Sequence, residues 1–410
     1  MQLKICIDIP KHLVEPNLTK FEIFKTFLSL GLSSFGGPIA HLGIFNRELV
    51  LKRKWLNPSL FSEMVALCQF LPGPSSSQVG LSIGFIRGGF SGALAAWIGF
   101  TTPSAIILIV FGYLYINFSN FIPFGAIHGL KIFAVAIVAH AIWTMAFTFC
   151  KNLKCILITI IAASIILLSP SPLIQFLTIF FSGLLGAIIF KVSEETTGYP
   201  QINDIKIKFA FVLIIIFFTI LFGLPLLVTW FPDPTITLID SFYRAGSLVF
   251  GGGHVVLPLL QTEIVSSGTV ADDAFLAGYG AAQAMPGSLF AFAAYLGVVS
   301  NSFPNGLLGG VIALLAIYLP SFLLVLGILP FWYKIRNILI IKKAIIGINA
   351  SVVGILIAAF FSPVVENGIL TLHDLVIALI FFYLINFYKI PIWALVLLCA
   401  IESWIFYSIF

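Results

Sequence analysis

Apolar residues run through this chain in long blocks, and polar residues fall between the blocks rather than alternating within them. Thirteen blocks stand out, at 24–45, 61–85, 90–118, 127–149, 155–169, 172–190, 208–230, 239–260, 274–298, 303–331, 343–362, 372–387 and 391–409. Such stretches predict membrane-embedded helices, because about 20 helical residues cross a bilayer core. Those at 155–169 and 372–387 are short for a crossing and are expected to lie tilted or only partly inserted. The expected fold is an all-α polytopic membrane protein.

Four blocks are interrupted, twice in the same order. The first copy reads Gly31-Leu-Ser-Ser-Phe-Gly36-Gly37, then Glu48, then Gln69-Phe-Leu-Pro72-Gly73. The second reads Gly246-Ser-Leu-Val-Phe-Gly251-Gly252, then Glu263, then Gln283-Ala-Met-Pro286-Gly287. The copies lie 215 positions apart up to the glutamates and 214 from Gln69 and Gln283 onward. Gly92 with Pro103-Ser104 and Gly309 with Pro320-Ser321 extend the match, which then fades into general hydrophobicity. Duplicated pairs of broken apolar segments point to a transport site between two repeats. The first repeat spans 24–190 and the second 239–410; between them, 191–238 holds a polar loop (191–207) and a connecting helix (208–230).

Composition narrows the class. Only 9% of residues are charged, against about 25% in soluble domains, and a mean hydropathy of +1.12 leaves no sizeable soluble domain. Residues 1–21 lack an apolar run, so no cleavable signal peptide is expected there. The net charge of +5 is spread over loops, which suggests topology within a lipid bilayer and not nucleic-acid binding. Cys6, Cys68, Cys150, Cys155 and Cys399 form no CxxC or metal spacing and read as inert thiols.

Suppose each broken segment is a re-entrant hairpin. Lys4, Lys11, Lys20, Arg47, Lys52, Arg53, Lys54 and Arg87 then share one face with Lys151, Lys154, Lys191, Lys206, Lys208, Lys334, Arg336, Lys342, Lys343 and Lys389. The loops on the other face, 119–126, 169–172, 231–238, 261–273 and 363–371, contain no Lys or Arg. The basic face is expected to be cytoplasmic, with the amino terminus on it, in the cell membrane. Arg244 is the exception to this partition. Equivalent positions are separated by five crossings with hairpins, or seven if every block spans, so the repeats are expected to be inverted either way.

An ion crossing lipid needs groups that replace its water. Helix amino termini supply unpaired N–H groups and partial positive charge, and glycine lets that backbone come close. Gly36-Gly37-Pro38 and Gly251-Gly252-Gly253 fit this use, as do Pro72-Gly73-Pro74 before Ser75-Ser76-Ser77-Gln78, and Pro286-Gly287-Ser288. The plainer alternative makes these breaks hinges or packing points. Gln69 and Gln283, each three residues before a break proline, are ligand or gate candidates, or bridges between helices. Candidates for coupling or gating are His41, Glu48, Glu63, Arg87, His254 and Glu263, each with a structural alternative as a solvated or internally paired residue. Glu63 requires a partner within the membrane, and Arg87 is one candidate for it. Lys131 reads as an interface-seeking lysine. Ala277-Gly278-Tyr279-Gly280 occurs once and does not make a potassium filter. Neither a GxxxxGK[ST] run nor HExxH is present, so no ATPase, metal site or cofactor is expected, and no nucleophile–base set suggests an enzyme.

These residues resemble the chromate ion transporter family in its long, two-domain form. The resemblance rests on Phe35-Gly36-Gly37-Pro38, His41, Glu48, Trp55-Leu56, Gln69-x-x-Pro72-Gly73-Pro74, Ile83-Gly84, Arg87, Gly92 and Pro103-Ser104. It continues in Phe250-Gly251-Gly252-Gly253-His254-Val255-Val256-Leu257-Pro258, Gly278-Tyr279, Gln283-Ala284-Met285-Pro286-Gly287 and Tyr295-Leu296-Gly297. Ser288 departs from it, standing where many relatives carry proline. The resemblance implies outward transport of chromate, a tetrahedral dianion shaped like sulfate. The expectation is a secondary exporter working by alternating access, with proton coupling open. A sulfate or other oxyanion carrier, an anion channel, and an oligomeric assembly are the alternatives left standing.

Overall fold

The computed structural model describes residues 18–118, 123–192, 207–250, 253–388 and 390–409. Gly251 and Gly252 and most of the loop 191–207 therefore lie outside the described residues, as does the side chain of His254. The described chain is helical throughout, and seven of its helices are long and apolar enough to cross a membrane.

The first repeat opens with α1 (Lys20–Ser33), started by a capping box in which Thr19 and Glu22 each receive the other's backbone N–H. The chain breaks at 34–36 and returns as α2 (Gly37–Phe45), which runs on through a π-helical stretch, Asn46–Lys52. Phe27, nine residues before Gly36, packs edge-on against Phe45, nine residues after it, at 5.7 Å. That contact makes the pair a hairpin with its tip at Gly36. A second hairpin joins α3 (Pro58–Phe70) to the first arm of α4 (Ser75–Phe118), with Cys68 Sγ and Ser82 Oγ 3.6 Å apart across it.

Helix α4 is itself folded. Gly88 (φ −148°) and Gly89 (φ 64°) leave helical geometry, and the arm 75–87 turns back against 90–118. Only a left-handed glycine takes that corner without strain. The arms touch at Gly84 and Gly92, and a methyl group on either glycine would collide with the other's carbonyl oxygen. Then α5 (Phe124–Phe149), α6 (Leu153–Leu168), α7 (Pro172–Ile189) and α8 (Ile207–Trp230) follow as single helices, of which α5, α7 and α8 are long and apolar enough to cross a membrane. Of α8 only Ala210, Phe217 and Leu221 are buried, so most of that helix is left for lipid.

The second repeat repeats the scheme from the other side. The first hairpin joins α9 (Pro234–Leu248) to a 3-10 turn, Gly253–Val255, and α10 (Val256–Leu260), which continues as the π-helical Gln261–Val265. The second joins α11 (Asp272–Ala284), through Leu289–Ala291, to α12 (Phe292–Val298), held by Tyr295 OH donating to Ala274 O at 2.8 Å. The turn 299–305 leads into the long α13 (Gly306–Ile328), and Gly297 meets Gly309 as Gly84 meets Gly92. Asn301 bonds back to Gly268 O and Thr269 O, so both open ends of these hairpins lie on one face. The open ends of the first repeat's hairpins lie on the opposite, lysine-rich face, and the two repeats are inverted.

The remaining helices interlock the halves. After α14 (Trp332–Ile335), α15 (Leu339–Ala359) runs on through Phe360–Val365 into the last turn, α16 (Glu366–Gly368). It packs on α6 and α7 of the first repeat, while α17 (Leu372–Phe387) and α18 (Ile392–Ile409) pack on α5. Small residues permit these approaches. Gly186 and Gly347 face each other, and Gly125 and Gly129 lie against the backbone of 399–404. The short blocks become α6 and α17, 16 residues each, and occupy matching places in the exchange.

Candidate functional site

The described parts of the hairpin tips meet between the repeats, and they are tied crosswise. Gly73 N–H donates to Val249 O at 2.7 Å, and Gly287 N–H donates to Ser34 O at 2.8 Å. These are matching positions, since Ser34 corresponds to Val249 and Gly73 to Gly287. Each repeat thus holds the other's break open at the same depth. Positive φ is required at Gly36 (97°), Gly37 (80°), Gly73 (118°) and Gly287 (88°).

What surrounds the ties is polar and buried. Ser77 Oγ donates to Ser288 Oγ at 3.0 Å, and the Tyr318 hydroxyl donates to the same oxygen at 2.5 Å. Gln78 Nε2 donates to Pro72 O at 2.6 Å and to Ser321 Oγ at 3.2 Å. His41 Nδ1 and Ser76 Oγ are 3.2 Å apart, and the imidazole packs edge-on against Phe100 at 5.5 Å. Ser104 Oγ donates to Thr101 O at 3.0 Å, beside Gly287. Among the described residues, several buried polar atoms here have no hydrogen-bond partner: Ser34 Oγ, Gln78 Oε1 and Trp97 Nε1. Unpaired buried donors are rare in folded proteins and mark places where a ligand or water completes the bonding. No Lys, Arg, Asp or Glu belongs to this cluster, so an anion held here would be held by neutral donors and helix ends.

The sequence candidates fall into three groups. Gly36, Gly37, Pro72, Gly73, Ser75, Pro286 and Gly287 come together at the tips. Among the described residues, no atom lies within 4 Å of where a side chain on Gly37 would start. Gly73 and Gly287 spend their N–H groups on the crossed ties, so the free amides are those opening α2 and α4. Gln69 is exposed on the flank of α3, and the buried amide at the centre is Gln78. Gln283 is half-buried, close to Tyr279. Gly251 and Gly252 fall outside the described residues.

Of the coupling candidates whose side chains are described, His41 alone joins the cluster, and the side chain of His254 lies outside the described residues. Glu48 sits at the open end of its hairpin, 2.7 Å from Lys52 Nζ and 3.5 Å from Arg47 Nε. The hydrogen bond from Lys52 holds its carboxyl below the usual range, so it stays ionised at neutral pH. Glu263, its counterpart, is buried and lies 3.3 Å from Arg244, which also pairs with Asp240. The off-pattern Arg244 thus sits between two carboxylates. Lys131 does not snorkel free but pairs with Asp273 at 2.5 Å. Arg87 is buried at the α4 corner.

Glu63 obtains its partner from the other repeat. Arg336 Nη1 lies 2.5 Å from Glu63 Oε2, and Trp332 Nε1 donates to the same oxygen at 2.9 Å. Removing one member of a buried pair strands the other, at about 3–5 kcal/mol, whereas replacing both by apolar groups is often tolerated. Glu63→Gln or Arg336→Met alone should therefore lower the thermal stability of the purified protein clearly, and the Glu63→Leu/Arg336→Met double variant should recover most of it. Additive losses in a thermal-shift cycle would show that the pair is not coupled.

Sequence reasoning named the serines after Pro74 and the Pro-Ser pairs at 103–104 and 320–321, but did not place Thr101, Tyr318 or Trp97 at the centre. They stand on uninterrupted stretches of α4 and α13, where nothing in the local sequence marks them.

Comparison with known proteins agrees with this architecture. The family model described as chromate transporter matches twice, over residues 21–189 and 236–404. The chain is 26% identical over 377 residues to an uncharacterized transporter of Methanocaldococcus jannaschii, covering 90% of each. It is 25% identical over 410 residues to a "Probable chromate transport protein" of Synechococcus elongatus, covering 96% of this chain and 98% of the relative. With a chromate transport protein of Pseudomonas aeruginosa the identity is 24% over 332 residues, 77% of this chain and 74% of the other. No solved structure matches. Two tandem matches over most of its length place this chain in the chromate transporter family.

Proposed function

We propose that this protein is a secondary carrier that exports chromate from the cytoplasm by alternating access. One dianion would sit at the cluster between the mirrored tips. The observation that carries this reading is the crossed pair of ties, Gly73 to Val249 and Gly287 to Ser34, amid buried donors without partners. Inverted hairpins that bring their tips together between the repeats give a site that rocking can expose to either face in turn. The relatives named as chromate transport proteins supply the substrate class.

Orientation and direction follow from charge. With the lysine-rich face cytoplasmic, an inside-negative potential of about 100 mV drives a dianion outward by about 4.6 kcal/mol. Neutral donors recognise a tetrahedral oxyanion by size and oxygen geometry, so sulfate is expected to compete with chromate. The test is chromate uptake into inverted vesicles carrying the protein, with potential and pH gradient set independently and sulfate as competitor. Saturable uptake with counterflow of labelled chromate supports a carrier. Conductance at channel rates replaces it with a channel, and sulfate preferred over chromate reassigns the substrate.

A further inference from the structure

Among the described side chains of the tip cluster, His41 is the one imidazole, a ring whose ordinary pKa is about 6.5. Its neighbours are unusual in that both can accept a hydrogen bond. Nδ1 faces Ser76 Oγ at 3.2 Å, and the backbone of Ser34 lies beside the ring. A carbonyl only accepts, and a hydroxyl either accepts or donates. An imidazolium can use the Ser76 hydroxyl as its acceptor here, while burial of the ring disfavours its charge as long as no anion lies beside it. The change falls on the hydroxyl: beside a protonated Nδ1, Ser76 Oγ must accept, and its own hydrogen is released to point elsewhere. Ser76 is in the first turn of α4, next to the amides that open that helix, and the nearby Ser34 hydroxyl has no partner among the described residues.

Other charges are remote from the ring. On α1, Lys20, Glu22 and Lys25 lie in the first two turns, away from the tip. Beyond α2, Arg47, Glu48 and Lys52 lie at the open end of the hairpin. On α4, Arg87 is eleven residues past Ser76, about 16 Å along the helix. In the second repeat Gly253 approaches Pro38, so His254, the next residue, is a required control. Tyr318 ordinarily titrates at about 10 and already donates to Ser288.

We propose that His41 takes up a proton as the dianion binds, so that one proton and one anion cross together. This rests on the placement of the oxyanion at the tip cluster. Two effects couple the events in the same direction. The dianion stabilises the imidazolium electrostatically, and the imidazolium turns Ser76 into a donor for the dianion. By linkage each ligand strengthens the other. The proton comes from water on the side to which the site is open and leaves with the anion on the other side. The cycle then moves one net negative charge per chromate, where an uncoupled carrier moves two. A base in contact with its anion cannot drive proton antiport, since binding the anion tightens the hold on the proton.

The measurement is the reversal potential of chromate flux in proteoliposomes for the wild type, His41→Gln, Ser76→Ala and His254→Gln. The expected result is one charge per chromate for the wild type and for His254→Gln, and two for His41→Gln. Chromate's own protonation is common to all four proteins and cancels between them. Apparent affinity should rise about tenfold per unit fall in pH while the ring is mostly neutral, and this slope should flatten in His41→Gln and Ser76→Ala. Two charges per chromate in the wild type, or an unchanged ratio and slope in His41→Gln, overturns the proposal while leaving chromate transport intact. No chromate-dependent flux in the wild type overturns the transport reading instead. Should His41→Gln bind without transporting, chromate quenching of tryptophan fluorescence across pH decides: a flat profile supports the proposal and a wild-type slope refutes it.

Discussion

Gly37→Val should abolish chromate transport in a protein that still folds and reaches the membrane. The two halves of that statement have separate causes. Gly37 holds φ at 80°, where a β-carbon costs about 1–2 kcal/mol, and no neighbour among the described residues lies within 4 Å of that β-carbon. A fold of this size absorbs that strain. The open space is another matter, because it lies at the free amino terminus of α2, where an anion is read by close backbone approach. Valine fills it. Each hydrogen bond to a charged group contributes about 1.5–3 kcal/mol, so losing two lowers affinity by at least about 100-fold. Initial rates at subsaturating chromate, with gel filtration as the folding check, measure both parts; Gly37→Ala should fall between. Near-normal efflux in Gly37→Val would remove the helix end from the site. Gly252→Val is the matching change in the second repeat, with the same loss expected.

How much of this was legible beforehand depends on the kind of signal. Helices long enough to span write themselves into composition, and the hairpins are written as glycine and proline pairs duplicated in order. Inversion followed from counting crossings, since an odd number reverses the chain whatever the breaks do. The exchange of α15 for α5 between the halves was not legible. It depends on which apolar face meets which, and in lipid every face is apolar; only the placement of Gly186, Gly347, Gly125 and Gly129 hints at it. Helix α4 was read as two blocks ending and starting around Arg87, and Gly88 and Gly89 supply the corner between them.

The site shows the same division. Break residues were found because glycine and proline are costly in helices and are kept where geometry requires them. Symmetry with Gln283 singles out Gln69, but a residue one position before a helix end points wherever the helix phase sends it, here outward. Gln78, three residues into the next helix, faces inward and ties Pro72 to Ser321. Repeat symmetry predicts backbone position well and side-chain direction poorly. It also misses differences between copies: the first repeat opens its fourth helix with three serines and Gln78, while the second presents Leu289, Phe290, Ala291 and Phe292. The polar half of the cluster thus comes mainly from the first repeat, with Ser288, Tyr318 and Ser321 closing it.

The contacts on which the hairpins fold are the stricter requirement, and Gly297→Ala should prevent the second repeat from closing. A single methyl group at 297 would run into Gly309 O and stand 2.7 Å from Gly310 N. Both obstacles are backbone in helices that pack on other helices, so no rotamer change relieves them. In close-packed interiors, overpacking costs about 1–3 kcal/mol even where side chains can move, and more where they cannot. Losses of that size change the amount of folded protein in cells several-fold. Gly84→Ala should act the same way in the first repeat, against Gly92 O and Ala96. Gly43→Ala is the control. It lies in α2 with nothing within 4 Å, and alanine in a helix is favoured over glycine by about 0.5–1 kcal/mol. Fluorescence-detected gel filtration of detergent extracts should show monodisperse protein reduced several-fold in Gly297→Ala and Gly84→Ala and undiminished in Gly43→Ala. Equal yields in all three would mean that the two glycine crossings are looser than drawn, and the hairpin tips would lose the scaffold that brings them to one depth.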